Sequence, residues 1–331
     1  MKQKKIGKID GRRGVNNSHL LKRLFVVFFI ALVLSVGVFY SYQFIRSRLN
    51  SDSSFFALRS KWKEADYQGV YDVSNAILYE RPFNHTALKF HGYSAFFLSA
   101  SETDTMNAQV LLDEAITSIR QALLSAKPTN KDISQLEYML GKAYFFKDSL
   151  SAYCYYADLA IRYLLSATAK GYRPENDDTS KLLGLSYASL GMTMESISSF
   201  SEALLLKESD ILLLSIAEQY FNAEQYQASE QYLRRISEEC KDEKIVLKGR
   251  QLLGEIYIAE EHFDEAEAVF QSMLDSLDGA EEAADAYYGL GIVYEKKGDI
   301  VKARSEWRKA LRIQANHSGA LASLARIAEK R

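Results

Sequence analysis

The chain has 331 residues, 47% of them apolar and 12% aromatic, more oily side chain than a disordered polypeptide carries. Three prolines and 17 glycines are too few for a turn-rich all-β architecture and point to long helices. The net charge of −2 conceals an asymmetry: residues 1–50 hold ten Lys/Arg against one acid, Asp10, leaving 31 basic and 42 acidic residues beyond position 50. A phosphate backbone needs a basic face, so this acidic body is not expected to bind nucleic acid.

The basic leader, residues 1–23, runs into "LFVVFFIALVLSVGVFYSYQFI", residues 24–45, a stretch of 22 without a charge. As a helix it reaches roughly 33 Å, enough for a hydrocarbon layer of about 30 Å. Tyr40 and Tyr42 stand at its C-terminal end, where amphipathic rings settle at an interface. The expected organisation is one transmembrane helix over 24–45 in contact with membrane lipid. Residues 1–23 then lie in the cytoplasm and the remainder is extracytoplasmic, periplasmic in a bacterium. A cleaved secretory signal is the competing reading, with small residues at Ser35–Gly37, but the apolar run continues past that point. No cysteine stands directly after the run, so a lipoprotein is not indicated. Residues 46–54, "RSRLNSDSS", form a short polar linker.

Beyond the linker one unit recurs. "KEADYQGVYDVSNAILYERP" keeps only the second half of it and ends at Pro82; "KFHGYSA" supplies Gly92, and "YMLGKAY" supplies Leu140, Gly141 and Tyr144. "LLGLSYASLGMTMESISSF" gives Leu183, Gly184, Tyr187, Ser196 and Phe200. "SIAEQYFNAEQYQASEQYL" gives Ile216, Ala217, Tyr220, Ser229 and Leu233, and "LLGEIYIAEEHFDEAEAVF" gives Leu253, Gly254, Tyr257, Ala266 and Phe270. The last unit has Tyr287, Leu290, Gly291 and Tyr294, then Ala303, Trp307 and Ala310. Glycine inside a helix costs about 1 kcal/mol relative to alanine. Its return at one phase therefore implies that two antiparallel helices cross there, while the aromatics fill the space between neighbouring pairs.

This pattern resembles the tetratricopeptide repeat family, whose unit reads W-x₂-L-G-x₂-Y, then A-x₃-F, then P. The resemblance covers residues 51–331, with Tyr287 and Arg250 standing where the family often has Trp. It implies an all-α, right-handed solenoid of about seven helix hairpins over residues 55–317. Residues 318–331 follow as a capping helix with the apolar stripe Leu321, Leu324 and Ile327. The second and third units carry extra sequence near 99–109 and 147–156, either as loops on one face or as longer helices.

The resemblance further implies a concave surface lined by the first helix of each hairpin and holding a protein or peptide partner. Carrying its phase along the chain gives Lys89, Tyr93, Phe96 and Phe97, then Tyr138, Lys142, Phe145 and Phe146. It continues with Ile211, Leu214, Glu218 and Phe221, and ends with Asp285, Tyr288, Ile292, Glu295 and Lys296. So many rings favour an apolar or amphipathic segment as the occupant. The Lys/Asn/Arg clamp by which some family members hold a terminal carboxylate is not matched, because Lys89, Lys142 and Lys181 are isolated.

Reactive chemistry is sparse. The five histidines, His19, His85, His91, His262 and His317, show no ligand spacing, and His91 reads as a core residue. Gly289–Gly291 follows no strand, and the acid pairs Glu238-Glu239, Glu260-Glu261 and Glu281-Glu282 read as solvated turns. Asn84 and Asn316 sit in glycosylation-type triplets, and Cys154 and Cys240 lie too far apart along the repeat to bridge. No catalytic residue, metal, cofactor or small-molecule substrate is expected. The function expected is a membrane-anchored extracytoplasmic scaffold in assembly of an envelope complex. A chaperone-like or enzyme-accessory module that engages envelope chains transiently is the alternative.

Overall fold

The computed structural model describes residues 35–41, 54–127, 129, 131–151, 156–176, 178–276 and 283–329, and among them there is no strand. The chain divides into two compact units, Met1–Pro82 and Phe83–Arg331. In the first, residues 35–41 are helical with exposed side chains. The rest of the expected span 24–45 lies outside the described residues, as does nearly all of the linker. Among the described residues no helix is long and apolar enough to cross a membrane. Helix α1 (residues 54–63) and helix α2 (Tyr67–Glu80) follow. Asp66 joins them: it accepts from the Gly69 N–H at 2.9 Å and pairs with Lys61 at 2.6 Å.

The second unit is a succession of helices: α3 (His85–Ser101), α4 (Thr105–Ser125), α5 (Ile133–Leu150), α6 (Ala157–Ala169), α7 (Thr179–Ser189) and α8 (Thr193–Leu206). It continues with α9 (Asp210–Asn222), α10 (Tyr226–Glu239), α11 (Glu243–Ala259), α12 (Phe263–Ser276), α13 (Ala283–Lys296), α14 (Ile300–Ile313) and α15 (Ser318–Glu329). The densest packing is within the pairs α3–α4, α5–α6, α7–α8, α9–α10, α11–α12 and α13–α14, and each pair rests on the next. First helices also touch first helices, α3 on α5, α5 on α7, α9 on α11 and α11 on α13. A stack whose first helices approach each other bends toward that side, so α9, α11 and α13 lie along the inner surface of the bend.

The small residues mark where the paired helices cross. A Cβ built on Gly254 would stand 2.5 Å from Cζ of Phe270, and one on Gly184 would stand 2.5 Å from Cδ1 of Phe200. Where serine takes the second helix's small position, it also donates a hydrogen bond across the crossing. Ser196 reaches the Gly184 carbonyl and Ser229 the Ala217 carbonyl, both at 2.8 Å. The hairpin turns repeat one closure. The N–H groups of Met192, Gln225, His262 and Asp299 donate to the carbonyls of Tyr187, Tyr220, Tyr257 and Tyr294, around a left-handed residue at Gly191, Glu224, Glu261 or Gly298. This is the Schellman arrangement that satisfies a helix's last carbonyls.

Of the two readings of the sequence near 99–109, the structure has the longer helices. α3 runs to Ser101, and Asp104 caps α4 by accepting from the Asn107 N–H at 2.9 Å. Residues 152–155 lie outside the described residues. Asn84 is the cap of α3, accepting from the Ala87 N–H at 3.0 Å. His91 is a core residue whose Nδ1 meets Ser118 Oγ at 2.9 Å, and burial pulls its basicity down. Cys240 is a free thiol; Cys154 is outside the described residues.

Two glycines of α11 should respond oppositely to alanine. At Gly254 the rigid Phe270 ring cannot yield, so Gly254→Ala should lower stability by about 1–3 kcal/mol. At Gly249 the added methyl would meet Ile236 at 3.4 Å and Leu233 at 3.7 Å, ordinary contacts, so Gly249→Ala should gain up to about 1 kcal/mol through helix propensity. Urea unfolding of the two variants beside the parent measures both signs.

Candidate functional site

The inner surface differs between its two ends. At the upstream end the expected rings are already used. Tyr93, Phe96 and Tyr138 are buried at 3%, 2% and 5% exposure, so none of the three offers a free face to a partner. Phe96 of α3 packs edge-on against Phe146 of α5 at 5.3 Å between centroids, with Phe97 and Phe145 beside them at 5.5 and 5.6 Å. Tyr172, from the connection between α6 and α7, lies 5.1 Å from the Tyr138 ring. Tyr138 donates to Asp178, which also pairs with Lys142 at 2.7 Å, and Lys89 pairs with Asp132 at 2.9 Å. Rings from adjacent hairpins and acids from the connections occupy much of this end, a filling that helix phase alone does not reveal.

Downstream the surface is open. A hollow of about 400 Å³ lies between α9 and α11, lined by Glu218, Phe221, Lys248, Gln251, Leu252 and Glu255 among others. A second, of about 290 Å³, lies between α11 and α13, and its apolar walls include Phe221, Ile258, Tyr288 and Ile292. Phe221, Gln251 and Glu255 border both, so the hollows form one trough. Of the residues singled out by sequence, Glu218, Phe221 and Tyr288 line it, together with Asp285 and Ile292. Leu214 is buried in the cluster that joins α9, α10 and α11.

The contribution of α11, Lys248, Gln251, Glu255 and Ile258, was absent from the expected lining. The signal for it exists. These residues sit six and three positions before Gly254 and one and four after it. Around Gly291 the same offsets give Asp285, Tyr288, Ile292 and Glu295, and around Ala217 they give Ile211, Leu214, Glu218 and Phe221.

The trough carries unbalanced charge. The Glu218 carboxyl is held above its ordinary range chiefly by desolvation, opposed by Lys248 and reinforced by Glu255. Glu255 is also raised, first by burial; the Gln251 amide, donating at 3.0 Å, opposes this and Asp285 reinforces it. Asp285 accepts from His317 Nε2 at 3.0 Å while His317 Nδ1 accepts from the Ala320 N–H at 3.2 Å, an exchange that fixes the imidazole tautomer and seats the start of α15. The Tyr288 ring lies 5.0 Å from His317. Among the described residues no three His, Cys, Asp or Glu gather as a metal-holding group.

The comparisons with known proteins agree with this geometry. The family model described as Tetratricopeptide repeat matches residues 284–317, the α13–α14 hairpin. Over that hairpin the chain is similar to the tetratricopeptide repeat. A solved structure of the C-terminal part of a TPR repeat-containing protein from Cytophaga hutchinsonii covers 82% of this chain and 99% of its own, at 14% identity and a TM-score of 0.57. It shows that the fold is of the tetratricopeptide-repeat kind. A tetratricopeptide repeat protein from Parabacteroides merdae covers 82% of this chain and 96% of its own at 17% identity and a TM-score of 0.47. A MamA structure covers 56% and 90% at 20% identity and a TM-score of 0.43. No curated protein matches the chain in sequence.

The raised Glu255 carboxyl makes a signed prediction. Its neutral form is favoured in the folded state, so the stability it provides is complete below the unfolded value of about 4.3 and is lost as pH rises through the folded one. Glu255→Gln should therefore raise the unfolding midpoint at pH 7, and the gain should fade to nothing below about pH 4. Denaturation of parent and variant across that window measures it.

Proposed function

We propose that this protein is a membrane-anchored, extracytoplasmic tetratricopeptide-repeat scaffold that holds a segment of another protein in the trough along α9, α11 and α13, within assembly of an envelope complex. The observation that carries the binding role is the trough itself, two adjoining hollows on the inner surface, the first lined mostly by polar side chains and the second mostly by apolar ones. Ligand sites have this composition: oily walls supply affinity, and a few polar groups fix orientation. Tyr93, Phe96 and Tyr138 are buried within the stack and are left out of this reading.

The anchor is supported by the 22 uncharged residues of 24–45, by the basic leader before them and by the acidic body after them. Lys and Arg concentrate on the cytoplasmic flank of a span, which puts residues 1–23 inside and the repeats outside. Tethering confines the trough to a layer near the membrane and raises the effective concentration of partners in that layer.

Two measurements test this. A photo-activatable residue replacing Gln251 should yield one dominant covalent adduct in intact cells, and the same residue at exposed Glu238 on α10 should not. Equal labelling at both positions, or none at Gln251, would remove the trough as the binding surface. Protease added to cells whose outer barrier has been opened should digest the repeats and spare the leader; protection of the repeats would reverse the orientation.

A further inference from the structure

The trough presents one carboxylate from each of three successive first helices: Glu218 on α9, Glu255 on α11 and Asp285 on α13. Each senses the next, Glu218 being raised in part by Glu255 and Glu255 in part by Asp285. Lys248 is the only cation among the described residues lining the two hollows. Between the acids lie Phe221, Ile258, Tyr288 and Ile292. We propose that the trough selects an extended polypeptide segment of a partner protein carrying Lys or Arg at every third position, with apolar side chains between. This rests on the reading of the trough as a protein-binding surface and names the class of segment it takes.

The spacing follows from helix packing. Axes of packed helices stand about 8–10 Å apart, so carboxylates from successive first helices recur at about that interval. An extended chain in the polyproline II conformation advances about 3.1 Å per residue with three residues per turn, so every third side chain returns to the same face after roughly that interval. A helical segment rises only about 1.5 Å per residue and would need six or seven residues per carboxylate. The intervening side chains of an extended segment reach the walls made by Phe221, Ile258 and Ile292.

Charge favours the same occupant. Glu218 and Glu255 lose solvation in the trough and repel each other, and an arriving ammonium or guanidinium group relieves both penalties at once. An acidic segment would add to the repulsion, and like charges facing each other exclude wrong partners. The body as a whole, with 31 basic and 42 acidic residues beyond position 50, steers cationic segments toward it.

The test uses the full chain in an uncharged detergent and two fluorescent dodecapeptides, one with Lys at every third position and Leu and Ser between, the other with Glu replacing each Lys. Anisotropy should show saturable binding of the lysine peptide and none of the glutamate peptide. The double variant Glu218→Gln/Glu255→Gln should weaken binding by about tenfold or more, in the same direction as added salt. Phe221→Ala should weaken it at every salt concentration, and the control Glu238→Gln should leave it unchanged. Equal binding of both peptides, or lysine-peptide binding indifferent to the double variant, would overturn the proposal. Light scattering of the same samples covers the remaining occupant: self-association abolished by the double variant would assign the trough to a second copy and overturn the partner-segment proposal. If neither peptide binds but the adduct at Gln251 still forms in cells, the charge class falls and the trough stands; if both fail, the functional reading falls too.

Discussion

Everything in this molecule depends on one close crossing, repeated along the chain, where a glycine or alanine of a first helix meets the second helix of its hairpin. The distances leave no slack: a methyl on Gly254 would penetrate the Phe270 ring, and one on Gly184 the Phe200 ring. Gly291 meets Trp307 in the same way. A ring packed against a glycine removes apolar surface from water and also fixes the axial register of the two helices, because no neighbouring position can accept it. Once register is set, the turn follows. Three residues after the small position stands the tyrosine whose carbonyl receives the turn's closing N–H, at Tyr187, Tyr220, Tyr257 and Tyr294.

The same tyrosines carry the next level of structure. Tyr294 donates to Glu267 of α12 at 2.7 Å, and Lys297 pairs with both Glu267 and Asp264 at 2.6 Å. That hydrogen bond to Glu267 pushes the Tyr294 hydroxyl up to about 12, and Lys297 holds the Glu267 carboxyl below its ordinary range. Exposed ion pairs of this kind contribute little singly. Their place at the joint between two hairpins matters more, since they hold neighbours at one angle and so help set the bend along which the trough lies.

The repeat was legible in the sequence because the crossing demands particular residues: a small side chain, a tyrosine three positions on, and a small residue and a ring on the next helix. The trough was legible to the extent that it obeys the same geometry. Offsets of six and three before the small residue and one and four after it yield Glu218, Phe221, Asp285, Tyr288 and Ile292. They also yield Lys248, Gln251, Glu255 and Ile258, none of them aromatic, so an enrichment in rings does not lead to them. The filling of the upstream end was not legible. It depends on Tyr172 and Asp178 folding back from a connection with no period, and on Phe96 and Phe146 meeting across two hairpins. A phase argument places a side chain on a face but not what else occupies that face.

The contrast between the two ends has a consequence for how the trough binds. Upstream, acids at the starts of first helices answer the lysines one hairpin before them, Asp132 with Lys89 and Asp178 with Lys142, and Tyr93, Phe96 and Tyr138 between them are buried. Downstream, the acids project from α9, α11 and α13, and the described side chains answer them only in part: the Lys248 cation beside Glu218, and the His317 N–H holding Asp285. Interactions that occupy the surface at one end are thus left incomplete at the other. Beneath the open end the walls belong to fixed clusters, Leu213, Ala217 and Ile256 below α9 and α11, and Ala286, Leu290 and Val293 below α13. An incomplete charge set on a rigid base needs little ordering when a complementary segment arrives, and a low ordering cost is what lets a surface of modest area hold its partner.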